Sequence, residues 1–460
     1  MANEKTVKPF GMKDKVGYMF GDCANDFTFI LCAMFLMKFY TDVMGVSAAI
    51  VGLMMLVAKA VDAVTDVLMG QICDRSSVTA KGKFAPWLRR LMGPVALASV
   101  LMYAVWFKNM PMGFKIFWMF FTYLLYGSIF YTGVNIPYGS MASALSSEPK
   151  DRTSLSTFRS IGATLAAMGI GVIIPMVVFY KDQATGNMMF SGEKMLCAAI
   201  VCSVLAVISY ILCYTMTTER VKMTKVTEKF SFRTFWKTMI SSRSLVGIVV
   251  SALLLLIVQL ALTGMNNYIY PNYFKNRAAI SLASLLSSLV ILALSTFIGK
   301  VASAIGKKET SIAGAILGAA SMGIAFFIHT GNIAVWFVFF LIGYVGLACF
   351  NLLCWAMITD VIDDMEIKNG VRSDGSIYAV YSFARKLGQA AASGLTGVLL
   401  SLVGYTKETA FDPAVTDGIY NITTLVPAAA FLALAIALTF LYPLDKKRVI
   451  ENTKLLHGEK

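Results

Sequence analysis

Apolar residues run along this chain in long, nearly unbroken blocks, separated by short polar stretches rich in lysine, arginine and glycine. A block of about 20 residues is what an α-helix needs to cross a bilayer. Such blocks fall near residues 16–41, 46–72, 90–107, 115–143, 155–180, 195–216, 244–269, 279–303, 309–329, 332–358, 376–404 and 418–442. The pattern predicts twelve spans, numbered here in chain order, and an all-α membrane protein.

Composition strengthens that reading. The 460 residues are 57% hydrophobic and only 14% charged, with a mean hydropathy of +0.70, whereas soluble domains carry about 25% charged residues. Residues 1–15 are polar and lysine-rich, and the first apolar block is too long for a signal-peptide core, so no cleaved leader is expected. The eight cysteines lie in or beside apolar blocks, without CxxC spacing or companion histidines. They read as small packing residues.

The net charge of +14 changes the picture through its distribution rather than its size. With both termini inside, inner segments hold 28 Lys and Arg and outer loops hold 7; Lys38, Lys59, Arg159, Arg385 and Lys386 lie within spans. The bias predicts a multi-pass protein of the cell membrane with both termini cytoplasmic and no nucleic-acid partner. The basic segment 217–243 divides the spans six and six. The expected organisation is an N-terminal bundle (1–216), a cytoplasmic middle loop (217–243), a C-terminal bundle (244–445) and a cytoplasmic tail (446–460). A glycine followed by bases ends both span 2 (Gly70–Arg75) and span 8 (Gly299–Glu309), a weak internal repeat. Two six-helix halves around a midplane cavity is the major facilitator superfamily fold.

Ionisable residues inside spans mark function by default. In span 2, Lys59, Asp62 and Asp66 are three and four residues apart and share one helix face. Lys59 can pair with Asp62, which leaves a second carboxylate to be answered. Na+ favours hard oxygen ligands, and the same pair can instead hold a proton. The expected coupling ion is thus Na+ or H+, with no other cofactor.

Span 1 places Asn25 and Asp26 about two turns in, and Asp22 one turn earlier, where it reads as a solvated interface residue. Arg159 in span 5 keeps its charge and needs a carboxylate; Asp26 is the expected partner. In span 4, Gly133 and Pro137 predict a kink that frees backbone carbonyls, beside the oxygens of Thr132 and Asn135. In span 11, Tyr378, Tyr381 and Arg385 form one stripe, and Ser382, Lys386 and Gln389 its neighbour. Only one of Arg385 and Lys386 is expected to line the cavity. Aromatic rings stack on sugar faces while charged and amide groups bind hydroxyls, so this mixture suits a sugar. At the end of span 10, Asp360, Asp363 and Asp364 predict a cytoplasmic ionic gate facing inner bases such as Arg75 and Arg372. The only histidines, His329 and His457, gather no ligands or nucleophile, which argues against an enzyme.

With these residues identified, the chain resembles the glycoside–pentoside–hexuronide:cation symporters, the melibiose-permease branch of the superfamily. Five blocks carry the likeness, in order between Gly17 and about Pro443: GYMFGDCANDF with FYTDVMG, LVAKAVDAVTDVLMG, KGKFAPW (Lys81–Trp87), VNIPYGSMA and GVRSDGSIYAVYSFARKLGQA. The resemblance implies coupling-cation binding (Na+, Li+ or H+) at Asp62 and Asp66 beside Lys59. Thr132 contributes from span 4, with Asn135 facing the same place. It implies sugar contacts at Asn25, Asp26, Asn135, Arg159 and Lys386, to which the polar and aromatic residues Tyr378, Tyr381 and Ser382 of span 11 add. Asn25, Asn135 and Gly139 stand where melibiose permease has Lys, Asp and Trp, which turns the expectation away from galactosides. The N-I-P-Y-G-S and R-K-x-G-Q-A blocks are closer to glucuronide and xyloside carriers. The site that results is more cationic and fits a β-glucuronide whose carboxylate pairs with a base. Neutral pentosides or xylosides, or a lysolipid or organic anion, are the alternatives. A functional monomer is expected.

Overall fold

A computed structural model describes residues 9–221, 242–370 and 374–457. Arg372 and residues 222–241 of the middle segment lie outside the described residues, as do the side chains of Tyr378 and Ser382. The apolar blocks form the helices α1 (Met12–Asp42), α2 (Ala48–Arg75), α3 (Ala85–Leu101) and α4 (Met112–Leu124). A π-helical turn, Leu125–Tyr131, joins α4 to α5 (Thr132–Leu145), and α6 spans Pro149–Val178. A short hairpin of β1 (Phe179–Lys181) and β2 (Met188–Phe190) leads into α7 (Gly192–Met216). Then follow α8 (Arg243–Gly264, prolonged to Tyr273), α9 (Ala278–Ile305), α10 (Lys307–Ile328), α11 (Ile333–Asn369), α12 (Asp374–Leu402), α13 (Pro413–Phe440) and the short α14 (Lys446–His457).

Eleven helical spans among the described residues are long and apolar enough to cross a membrane. The 29-residue α12, which carries Arg385 and Lys386, is a further helix of that length. Large apolar side chains such as Leu97, Phe117, Ile173 and Leu432 are exposed, which in a bilayer puts them against lipid chains rather than water. The protein is an all-α, multi-pass membrane protein.

Two compact units divide the chain. One gathers the described residues within Met1–Val46, Val57–Lys181 and Met189–Glu228; the other gathers those within Ser47–Leu56, Asp182–Met188 and Lys229–Lys460. The helix α2 therefore changes allegiance near Leu56. Its first turns pack on α12 within the second unit, where a Cβ on Gly397 would run into the Ala48 carbonyl and a Cβ on Gly52 would lie 3.0 Å from the Gly394 carbonyl. Only glycine lets two helix backbones approach this closely.

In the first unit the chain just after α7 is docked. The Glu219 carboxylate accepts the backbone N–H groups of Lys83, Phe84 and Ala85 at 2.7, 2.9 and 2.7 Å. These are orphan donors at the start of α3, where a carboxylate also meets the positive end of the helix dipole. Gly82 (φ +108°) makes room, since a Cβ there would strike the Glu219 carboxylate. Arg220 reaches back to Asp14 at 2.9 Å. The second unit repeats the relation with the carboxylate on the other partner: Glu309, at the start of α10, accepts the N–H of Lys446, which opens α14, at 3.2 Å. Replacing Glu219 with Ala strands three donors and should cost about 1–2 kcal/mol. The thermal unfolding midpoint of the purified protein in detergent is expected to fall accordingly, and an unchanged midpoint would remove the capping role.

Candidate functional site

The polar stripe of α2 faces α5 and the π turn within the first unit. Lys59 Nζ lies 3.7 Å from Asp62 and 4.8 Å from the centre of the Phe29 ring on α1. Ser128 Oγ donates to Asp62 Oδ1 at 2.6 Å, and Thr132 Oγ1 donates to Asp66 Oδ1 at 2.8 Å while also lying 3.1 Å from the Gly127 carbonyl. Each carboxylate thus holds one hydroxyl of the neighbouring helix, a substitute for the water that a bilayer withholds.

The local backbone explains how two hydroxyls four residues apart reach two different carboxylates. The irregularity of this segment is the π turn at Leu125–Tyr131. It is not a kink at Gly133 or Pro137, where the sequence placed one; α5 runs from Thr132 through Pro137 to Leu145. A π turn carries more residues per turn than an α-helix and recurs at functional sites. Gly127, within it, lies against Asp62, 3.3 Å from where its Cβ would stand. Ser128 was not singled out in the sequence, since a serine in an apolar span carries no signal until the turn that aims it is known. Asn135 makes no hydrogen bond to either carboxylate among the described residues, whereas Ser128 does.

The second part of the site lies where α1, α5 and α6 meet. Arg159 pairs with Asp22, Nε to Oδ1 at 2.9 Å, which corrects the expected pairing with Asp26. Asp22 is 6% exposed and is no solvated interface residue. Depth along α1 is decided by where α6 crosses it, which helix periodicity does not state. The guanidinium also stands 5.5 Å from the centre of the Tyr138 ring. That ring stacks on Tyr18 at 4.6 Å and donates its hydroxyl to the Tyr18 carbonyl at 2.7 Å. The Arg159 side chain is 44% exposed, and its terminal nitrogens make no hydrogen bond among the described residues. Asn25, expected to touch the solute, is buried instead, its carbonyl oxygen accepting from the Tyr210 hydroxyl at 2.7 Å.

Two helices connect these parts. On α1 the positions Asp22, Asp26 and Phe29 share a face and lead from the Arg159 pair to the Lys59 cluster; on α5 the positions Thr132, Asn135 and Tyr138 do the same. Six or seven residues of α-helix rise about 10 Å, roughly the length of a sugar with one substituent. Asp26 and Asn135, midway on each helix, are half-buried and make no hydrogen bond among the described residues.

The remaining expected residues lie in the second unit. Tyr381 is fully buried, its ring edge-on to Trp355 at 5.1 Å, and so offers no surface to a solute. The exposed aromatic there is Trp355, with the Arg385 guanidinium 5.6 Å from its ring centre. Lys386 is half-buried. Asp360 is held by Lys307 at 2.6 and 2.9 Å inside this unit. Asp364 accepts from Ser244 at 2.8 Å and Lys368 at 2.6 Å. Asp363 is half-buried and Arg75 exposed.

Comparison with known proteins agrees with this architecture. Residues 17–446 match the family model described as MFS/sugar transport protein. A glucuronide carrier protein homolog of Escherichia coli (strain K12) is 32% identical over 445 residues, covering 95% of this chain and 93% of the relative. An isoprimeverose transporter of Lactiplantibacillus pentosus is 31% identical over 440 residues, covering 94% and 89%. Among solved structures, a bacterial homolog of the human lysosomal transporter Spinster, inward-facing and unoccupied, superposes with a TM-score of 0.71 at 12% identity, covering 98% of both chains. That likeness shows the fold. The chain belongs to the MFS/sugar transport family, as a member of its glycoside–pentoside–hexuronide:cation symporter branch.

Proposed function

We propose that this protein carries a carboxylate-bearing glycoside, a β-glucuronide or related hexuronide, into the cell together with Na+ or H+ by alternating access. The observation that carries the reading is the pair of unengaged side chains, Asp26 and Asn135, between a half-exposed guanidinium and a hydroxyl-held pair of carboxylates. Hydroxyls of a sugar suit the first two groups. The free terminal nitrogens of Arg159 suit a carboxylate, because a guanidinium presents five donors and Asp22 uses only Nε. Asp62 and Asp66 suit the cation.

Charge bookkeeping supports joint transport. Within the first unit Asp22, Asp26, Asp62 and Asp66 stand against Lys59 and Arg159, four acids and two bases. An anionic solute entering alone adds to that excess of acid, and a cation entering with it offsets the added charge, which favours each ligand's binding in the presence of the other. Such coupling is reciprocal.

The coupling role is tested in membrane vesicles with imposed Na+ or pH gradients. Asp66→Asn is expected to abolish concentrative uptake and Asp62→Asn to reduce it at least about tenfold, the cost of one lost charged contact. Concentrative uptake that survives both changes would exclude these residues from coupling. Arg159→Ala should weaken glucuronide binding by roughly tenfold to a hundredfold, as loss of a charge-assisted bond does, with little change in the unfolding midpoint. Normal affinity in that variant would remove Arg159 from the site.

A second reading, transport of a neutral xyloside, is favoured by the Asp22–Arg159 bond, which already answers the arginine's charge. Electrical response separates the two. Uptake of a glucuronide with one cation moves no net charge and should ignore an imposed potassium-diffusion potential, whereas uptake of a neutral glycoside with one cation should accelerate when the interior is made negative.

A further inference from the structure

Two cavities lie on one seam of the first unit, and neither belongs to the site described above. The first, about 400 Å³, opens where the loop between α2 and α3 meets the start of α3 and the end of α7; Thr79, Lys81, Pro86, Arg89, Arg90 and Tyr214 line it. Three of its lining residues, Lys81, Arg89 and Arg90, are cations. Lys81 Nζ and the Arg89 guanidinium both lie over the Tyr214 ring, 5.5 and 6.0 Å from its centre. Among the described residues no carboxylate pairs with Lys81, Arg89 or Arg90. The nearby carboxylate of Glu219 is turned to the backbone N–H groups of Lys83, Phe84 and Ala85.

The second cavity, about 280 Å³, lies farther along the same two helices, and its lining includes Leu97 and Val100 of α3 and Val204 and Ile208 of α7. It is apolar, and Leu97 and Val204 are more than half exposed. From Arg90 to Leu97 is seven residues and from Tyr214 to Val204 is ten, so the two cavities are separated by about 10–15 Å along the helix axes. A cationic hollow at the helix ends followed by an apolar groove at that depth has the form of a phospholipid: an anionic phosphate at the membrane surface and a chain in the hydrocarbon.

We propose that the α3–α7 seam binds one anionic phospholipid of the cytoplasmic leaflet, its phosphate held by Lys81, Arg89 and Arg90 and one acyl chain lying along Leu97, Val100 and Val204. Charge complementarity selects the lipid class: three unanswered cations favour a headgroup with net negative charge over a zwitterionic one. Trp87, whose ring stands 5.9 Å from the Arg90 guanidinium, sits at the level where interfacial aromatics mark the boundary between headgroup and chain. The site is independent of the solute path.

The test uses the full-length protein, stripped of lipid in detergent and examined by native mass spectrometry with phosphatidylglycerol and phosphatidylcholine of identical chains. The intact protein is expected to retain phosphatidylglycerol in preference to phosphatidylcholine. Arg89→Gln/Arg90→Gln should weaken phosphatidylglycerol binding roughly thirtyfold, about fivefold squared for two juxtamembrane cations, while Arg89→Lys/Arg90→Lys, which keeps both charges, should retain it. Leu97→Trp/Val204→Trp fills the groove without altering charge and should lower retention of both lipids. Equal retention of the two lipids by the unaltered protein overturns the proposal whatever the variants do. So does phosphatidylglycerol binding that is unchanged in the glutamine variant. Displacement of the lipid by millimolar inorganic phosphate, with no effect of the tryptophans, would show a phosphate pocket without an acyl groove and would overturn it as well.

Discussion

A carboxylate within a bilayer costs several kcal/mol unless a donor or a cation answers it, and this requirement organises the first unit. Asp22 is met by Arg159, Asp62 by Ser128 and Lys59, and Asp66 by Thr132. At the far end of α1, buried Lys38 is met by Asp42 at 3.0 Å. Each bond joins a helix to a neighbour or to its own next turn, so the helices are located by their charges as much as by apolar packing. Asp26 and Asn135 stand apart, where this internal pairing stops.

The long apolar blocks were legible because a bilayer imposes one length and one polarity on every crossing helix. The Lys59, Asp62 and Asp66 stripe was legible for the same reason: charge inside such a block is conspicuous, and three-and-four spacing is local. What required neighbouring helices was not. Asp22 and Asp26 are one turn apart on one face, and only the crossing point of α6 decides which of them Arg159 meets. Tyr381 belongs to a convincing aromatic stripe, yet Trp355 and Arg385 cover it from α11 and from its own helix. Asp360 sits in an acidic cluster that suggests a gate to other bases, and sequence alone does not show that Lys307 at the start of α10 holds it. The family likeness supplied the order of the blocks without supplying these pairings.

The ends of the helices show a relation that residue patterns did not reveal. In both units the chain leaving the last long helix is tied to the start of the third by a carboxylate accepting a backbone N–H. In one unit Glu219 supplies the carboxylate after the helix, and in the other Glu309 supplies it from the helix start. The sequence repeat suggested by Gly70–Arg75 and Gly299–Glu309 meets this contact only at Glu309. Two halves can share a contact while differing in which side provides the acid, because the geometry constrains the bond and not its polarity.

The π turn at Leu125–Tyr131 makes this site sensitive to chain length in a way its side chains do not disclose. Such a turn is an α-helix holding a surplus residue. Deleting one residue there would let the helix close into regular form without loss of apolar surface, and α5 would still cross the membrane. The wide turn takes up that one residue, so α5 would keep its rotation, and Thr132 and Tyr138 would still face Asp66 and Arg159. Only contacts made within the turn, such as that of Ser128 with Asp62, would be rearranged. This segment therefore works like an expansion joint: it absorbs a residue locally, where Ser128 is aimed, and spares the polar contacts downstream.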